Sequence, residues 1–147
     1  MRVSRTIAAP PERVFDAWLA PATVGQWLFA TPGGEMSRVE IDARIGGAWS
    51  IVERRDGEEV LHTGTYEEID RPRRLVFTLA VPKYSPDAAR VAVDIVATEA
   101  GCEVTLTQSA PKDAPVSNAQ IEEGWSAILA ALAGKVEKEG GEDGLPG

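Results

Sequence analysis

The sequence predicts an α+β domain: a curved antiparallel sheet of six to seven strands wrapped around a long C-terminal helix, with two short helices after the first strand. Three observations carry this expectation. From about residue 37, apolar residues recur with a period of 2, as in half-buried strands. The breaks between those runs are short stretches of turn chemistry, too short for parallel crossovers, so neighbouring strands pair antiparallel. After residue 117 the period returns to helical spacing and stays there to about residue 139.

Taken in order, residues 2–8 set Val3, Arg5 and Ile7 against Ser4 and Thr6 and form the first strand. Pro10 and Pro11 open a helix, because a proline in the first turn forfeits no intrahelical hydrogen bond. Val14, Phe15, Trp18 and Leu19 give that helix one apolar face. Pro21 stops it, and residues 21–28, with Val24, Trp27 and Leu28, form the second short helix. Strands are expected at 37–43, 47–55, 60–70, 74–81, 90–98 and 102–109. Gly46-Gly47, Asp56-Gly57, Asp70-Arg71-Pro72 and Glu99-Ala100-Gly101 stand between them, Asp-Gly being the strongest hairpin signal. Residues 82–87 are a longer loop over one end of the sheet, and residues 110–116 lead into the long helix.

That helix opens with a capping box, Ser117 and Gln120. Ile121, Trp125, Ile128, Leu129, Leu132 and Val136 fall on one stripe. Lys135 and Lys138 suit the negative end of the helix dipole, and Gly140-Gly141 supplies the stop. One domain therefore spans 1–139, followed by a flexible tail at 140–147. Gly124 and Gly134 each cost the helix about 1 kcal/mol relative to Ala. They sit on an exposed face or leave room for a ligand beside Trp125.

A helix with one apolar stripe and a sheet with one apolar face are most economically buried against each other. A twisted, curled sheet touches a straight helix unevenly, so a cleft is expected between them, closed at one end by the two short helices.

With 15 Lys+Arg against 23 Asp+Glu, the 147-residue chain carries a net charge of −8, which disfavours nucleic acid and anionic membranes as partners. Its longest apolar run is the seven residues 127–133, against roughly 20 for a bilayer span. Residues 1–7 lack the apolar stretch of a signal peptide. The single cysteine, Cys102, forms no disulfide within the chain and reads as a small apolar residue, and a cytoplasmic location is expected.

Motifs for catalysis are largely missing: there is no G-x-S-x-G, H-E-x-x-H, G-x-G-x-x-G or Walker A pattern. One histidine, His62, does not build a His-rich metal site, and one cysteine does not build a Cys-rich one, so neither metal nor cofactor is expected. His62 reads as a strand residue facing solvent or a pocket mouth. Glu67 and Glu68 point to opposite faces of a strand, and Glu58-Glu59 follows a turn into solvent. Glu122 and Glu123, one turn from Trp125, stand at a solvated helix edge or reach the pocket rim as a base.

Several segments together resemble the START/Bet v 1-like superfamily, and within it the branch related to the C-terminal domain of the Hsp90 ATPase activator. They are residues 7–27 (IAAPPERVFDAWLAPATVGQW), 42–47 (DARIGG) with Trp49, 64–69 (GTYEEI), 73–78 (RRLVFT), and 123–125 (EGW) followed by Leu129 and Leu132. They span about residues 3–136 in the family's order. The resemblance implies the helix-grip fold with a cavity between long helix and sheet. The superfamily includes lipid and hormone carriers and polyketide cyclases.

The aromatic residues supply the best candidate site. Four of the nine are tryptophan, and indole offers a broad apolar surface with one N–H donor. Trp27, Trp49 and Trp125 are expected to line the cavity, with Ile51, Phe77, Leu79, Val93, Ile95 and Leu129 beside them. Trp18 reads as core packing, and Thr63, Thr65 and Tyr66 are candidate polar contacts. The expected function is binding of a small, mostly apolar molecule without catalysis. The alternatives are a polyketide cyclase/aromatase-like enzyme using Glu122 or Glu123, and a co-chaperone-like interaction module, with a chaperone or a second copy as partner.

Overall fold

A computed structural model describes residues 2–24, 27–28, 35–55, 57–82, 88–109 and 118–144. Seven strands form one antiparallel sheet: β1 (Arg2–Ile7), β2 (Glu35–Ile41), β3 (Ala48–Arg55), β4 (Glu58–Asp70), β5 (Arg74–Leu79), β6 (Ala89–Thr98) and β7 (Gly101–Gln108). Their spatial order is β1-β7-β6-β5-β4-β3-β2, so β2 to β7 form a meander and β1 joins it beside β7. Each predicted strand is present with its ends moved by a few residues. The turns are where Gly and Pro place them: Gly46 and Gly57 adopt φ of +84° and +80°, a region that favours glycine.

After β1 comes one short helix, α1 (Pro11–Ala17), with a proline in its first turn. The second helix expected over 21–28 is reduced to a single turn, α2 (Pro21–Val24). Four residues close one helical turn and no more; the turn is held by tertiary burial of Val24, Trp27 and Leu28.

The long helix α3 (Asn118–Gly144) runs through the expected stop at Gly140-Gly141. Glycine lowers helix propensity by about 1 kcal/mol but does not forbid helical backbone. The 140–147 tail is thus helical as far as Gly144, and 145–147 lie outside the described residues. The same holds for the Ser117–Gln120 cap, the 110–116 connection and most of the 82–87 loop, whose partners or side chains fall outside the described set.

Trp125, Leu129, Leu132, Ala133 and Val136 form the buried stripe of α3, while Ile121 and Ile128 are half-buried. The helix packs beside β1 and α1, and Glu137 Oε2 accepts the backbone N–H of Ala8 at 2.9 Å. Gly124 and Gly134 are exposed, with open space where a Cβ would stand, so their missing side chains leave no room in the core.

Residues opposite one another in an antiparallel ladder share a face. On the inner face this aligns Trp49 with Gly64, Ile51 with His62, and Glu53 with Val60 across β3 and β4. Phe77 and Val91 follow on β5 and β6. The outer face is covered by cross-strand ion pairs, Arg74 with Glu68 (2.8 Å) and Asp94 (2.7 Å), and Arg90 with Glu67 (2.8 Å), beneath which Val76 is buried.

Candidate functional site

α3 covers the β1 side of the sheet, leaving the β2–β5 half to be covered by the segment carrying α1 and α2. Here the aromatic residues converge. Trp18 meets Trp27 edge-to-face, with ring centres 4.7 Å apart, and lies 6.1 Å from Phe77 and 6.4 Å from Trp125. Phe77 in turn meets Trp49 (5.7 Å) and Tyr66 (6.5 Å), both near perpendicular. These are favourable edge-to-face arrangements, each contributing about 0.5–1.5 kcal/mol beyond the burial itself. Within the cluster is an apolar cavity of about 10 Å³, room for roughly one water. Its walls are Trp18, Val24 and Leu28 on one side and Ile41, Trp49, Ile51, Tyr66, Leu75 and Phe77 on the sheet.

The four indole N–H groups divide into two pairs. Trp49 donates to the Thr78 carbonyl at 3.1 Å, reaching across β4 to β5. Gly64 permits this, since a Cβ there would stand 2.8 Å from Trp49 Nε1. Trp125 donates to Gln108 Oε1 at the end of β7. By contrast, the Nε1 atoms of Trp18 and Trp27 are buried with no hydrogen-bond acceptor. Their edge-to-face contact can offer a ring face to at most one of the two donors. An unsatisfied buried donor costs about 1–3 kcal/mol.

Of the residues expected to form the site, Trp49, Ile51 and Phe77 line this cavity. Trp27 stands behind Trp18, and Trp125 touches Trp18 from α3. Leu79 is half-buried two residues beyond Phe77, on the same face. Val93, Ile95 and Leu129 belong to the core away from the cavity wall. Trp18, read from sequence as packing alone, forms part of the wall, so the described cavity lies under the α1–α2 segment rather than under α3.

Among the candidate polar contacts, Tyr66 lines the cavity. Burial, aided by the charge of Asp42, pushes its phenol above the ordinary range. Thr63 Oγ1 is committed to the Trp49 carbonyl at 2.8 Å, and Thr65 is exposed. Glu122 and Glu123 are exposed on α3, at the solvated edge and not on the cavity wall.

Two residues were not read from sequence as a site. Glu53 and His62 are the buried charged or polar side chains among the described residues, 1% and 5% exposed, so His62 faces neither solvent nor a pocket mouth. The usable signal was strand alternation, which carries Glu53 onto the face of Trp49 and Ile51. No group of His, Cys, Asp and Glu among the described residues has the arrangement of a metal site. No described helix is long and apolar enough to cross a membrane. A larger surface groove of about 650 Å³ beside Pro11 and Pro72 contains Arg71, Arg73 and Arg74. Each is already ion-paired, with Asp16, Asp70, and Glu68 plus Asp94 respectively.

A seven-stranded antiparallel sheet closed by a long C-terminal helix, with an apolar cavity on its inner face, defines a helix-grip domain of the START/Bet v 1-like class. Residues 8–137 match the family model described as Activator of Hsp90 ATPase homolog 1-like protein, and the chain belongs to that family. A crystal structure of a Chromobacterium violaceum protein is 28% identical, with a TM-score of 0.85 over 93% of this chain and 96% of that one. The solution structure of an Aeromonas hydrophila protein, described as AHSA1-like, is 24% identical, with a TM-score of 0.83 over 95% and 93%. A Rhodobacter sphaeroides crystal structure is 23% identical, with a TM-score of 0.80 over 93% and 91%. No curated protein matches the chain.

Proposed function

We propose that this domain binds a small, mostly apolar molecule against the inner face of β2–β5, beneath the α1–α2 segment. The observation that supports this reading is the apolar cavity walled by Trp18, Trp49, Tyr66 and Phe77, with buried indole donors at Trp18 and Trp27. Apolar burial supplies the driving force, about 25 cal/mol per Å² before association costs. An acceptor atom on the ligand relieves the buried donors. Because the cavity holds roughly one water, the ligand enters by moving Trp18 and Leu28 away from the sheet. The reading assigns no catalysis, and it carries a cytoplasmic location with it.

The test is native mass spectrometry of the purified protein against its denatured mass, repeated with added naphthalene as a minimal apolar probe. A discrete mass lost on denaturation, or a one-to-one naphthalene complex, is expected. Ile41→Phe, which adds bulk at the half-buried cavity wall, should abolish the complex, with the melting curve as the control that the variant is folded. Absence of both adducts, or full binding by Ile41→Phe, would overturn the reading.

A further inference from the structure

We infer that the pocket selects a neutral, mostly apolar ring molecule carrying a hydrogen-bond acceptor, a carbonyl oxygen or an aromatic ring nitrogen, and that the Trp18 indole N–H is the group that reads it. The inference rests on the pocket reading above and adds which ligand group is recognised and by which residue.

Trp18 is 2% exposed, forms part of the cavity wall, and holds its Nε1 buried with no acceptor in the protein. The other indoles show how this fold answers a buried donor. Trp49 Nε1 donates to the Thr78 carbonyl, and Gly64 keeps the way clear. Trp125 donates to Gln108 Oε1. Nothing comparable is built for Trp18, although an unmade buried hydrogen bond costs about 1–3 kcal/mol that a phenyl ring in the same place would not incur. Trp27, with its ring centre 4.7 Å away, is also unanswered, and their perpendicular contact offers a ring face to at most one of the two N–H groups. A ring face is in any case a weak substitute for a lone pair, so an acceptor atom displaces it. Trp18 rather than Trp27 is the reading group because Trp18 lies on the wall and Trp27 stands behind it. It is also one of the two residues that a ligand displaces on entering.

The wall further defines the kind of acceptor. An indole N–H only donates, so its partner must accept. Among the described residues the wall carries no charged side chain, so an anionic acceptor would leave water with no cation to meet it. The charge of Asp42, which acts on Tyr66, opposes an anion as well. Tyr66 is held in its protonated form by burial, and its hydroxyl can turn to donate or to accept, so it does not set the polarity of the site. Beyond Trp49, whose donor is committed, the rest of the wall is aliphatic or phenyl. A neutral acceptor on an apolar frame is the chemistry that answers this wall.

The experiment compares quinoline with naphthalene, rings of nearly equal size that differ by one acceptor nitrogen, on the wild-type chain and Trp18→Phe. Isothermal titration calorimetry at neutral pH, where quinoline is uncharged, gives the ratio of the two affinities, and melting curves are the folding control. The probes differ in hydration equally for both chains, so a change in the ratio reads the hydrogen bond. Trp18→Phe should lower the quinoline-to-naphthalene affinity ratio by about tenfold, the worth of one hydrogen bond to a donor otherwise unanswered. In proton–nitrogen correlation spectra of the wild type, with the four indole signals assigned by sequential connectivity, quinoline should move the Trp18 N–H downfield of its position with naphthalene. A ratio that Trp18→Phe leaves unchanged overturns this inference and leaves the pocket reading standing. So does a downfield shift confined to another indole. Binding of neither probe by the wild type overturns the pocket reading and this inference with it. Should Trp18→Phe fail to fold, the wild-type spectra decide: a quinoline-specific downfield shift at Trp18 supports the inference, and its absence overturns it.

Discussion

Replacing Gly64 by alanine tests how the aromatic cluster is held together. The new Cβ would stand 1.8 Å from the Thr78 carbonyl oxygen, 2.6 Å from its carbon and 2.8 Å from Trp49 Nε1. The first contact is about 1.6 Å short of an ordinary contact at 3.4 Å, and the obstacle is backbone, which cannot swing aside. β4 and β5 must therefore separate where the Trp49 indole crosses between them. Overpacking of this kind costs about 1–3 kcal/mol, and loss of the Trp49–Thr78 hydrogen bond adds about 1 kcal/mol. The entropic gain of alanine in the unfolded chain, about 0.4–1 kcal/mol, offsets only part of this. A net loss of about 2–3 kcal/mol should lower the melting temperature by roughly 5–10 °C in a chain of this size. Thermal unfolding followed by circular dichroism reads the stability, and tryptophan emission should shift to the red as Trp49 loses burial. A melting temperature within about 2 °C of wild type with unchanged emission would refute the reasoning.

Three further outcomes are expected. Gly124→Ala and Gly134→Ala, which meet open space on the exposed face of α3, should each stabilise the fold by about 1 kcal/mol in urea unfolding; a loss would mean the helix is closely packed there. Arg71 donates to both carboxylate oxygens of Asp16 (2.7 and 2.9 Å), and these hydrogen bonds hold Asp16 below its ordinary value of 3.8. The contribution is present above that value and is lost as pH falls through the lowered one, so Asp16→Asn should show a flatter acid decline in urea midpoint; parallel curves would count against the pair. The Cys102 thiol is fully buried, and burial, helped by the charge of Glu12, raises its pKa. It should resist maleimide labelling in the folded chain and react fully in denaturant, whereas rapid native labelling would show that β7 opens locally.

Period, turn chemistry and helix stripe are local properties, and they were enough to predict the order and kind of nearly every element, the antiparallel pairing and a sheet gripping one long helix. Trp49, Ile51 and Phe77 were legible as cavity residues because alternation puts them on one face. The failures share a cause. Gly140-Gly141 does not stop α3, because a local helix preference of about 1 kcal/mol does not by itself end a helix. His62 reads as a polar strand residue until register sets it opposite Ile51, on a face that the rest of the chain buries. Trp18 joins the cavity wall because the stretch from the end of α1 through α2, with Trp18, Val24 and Leu28, lies against β2–β5 there, while α3 packs beside β1. Which residues fill the space above a face depends on partners far away in sequence. The chain's own pattern thus determined the two surfaces to be buried. Only tertiary packing decided that the cavity would be small and aromatic, because register and helix placement arise from contacts between distant segments.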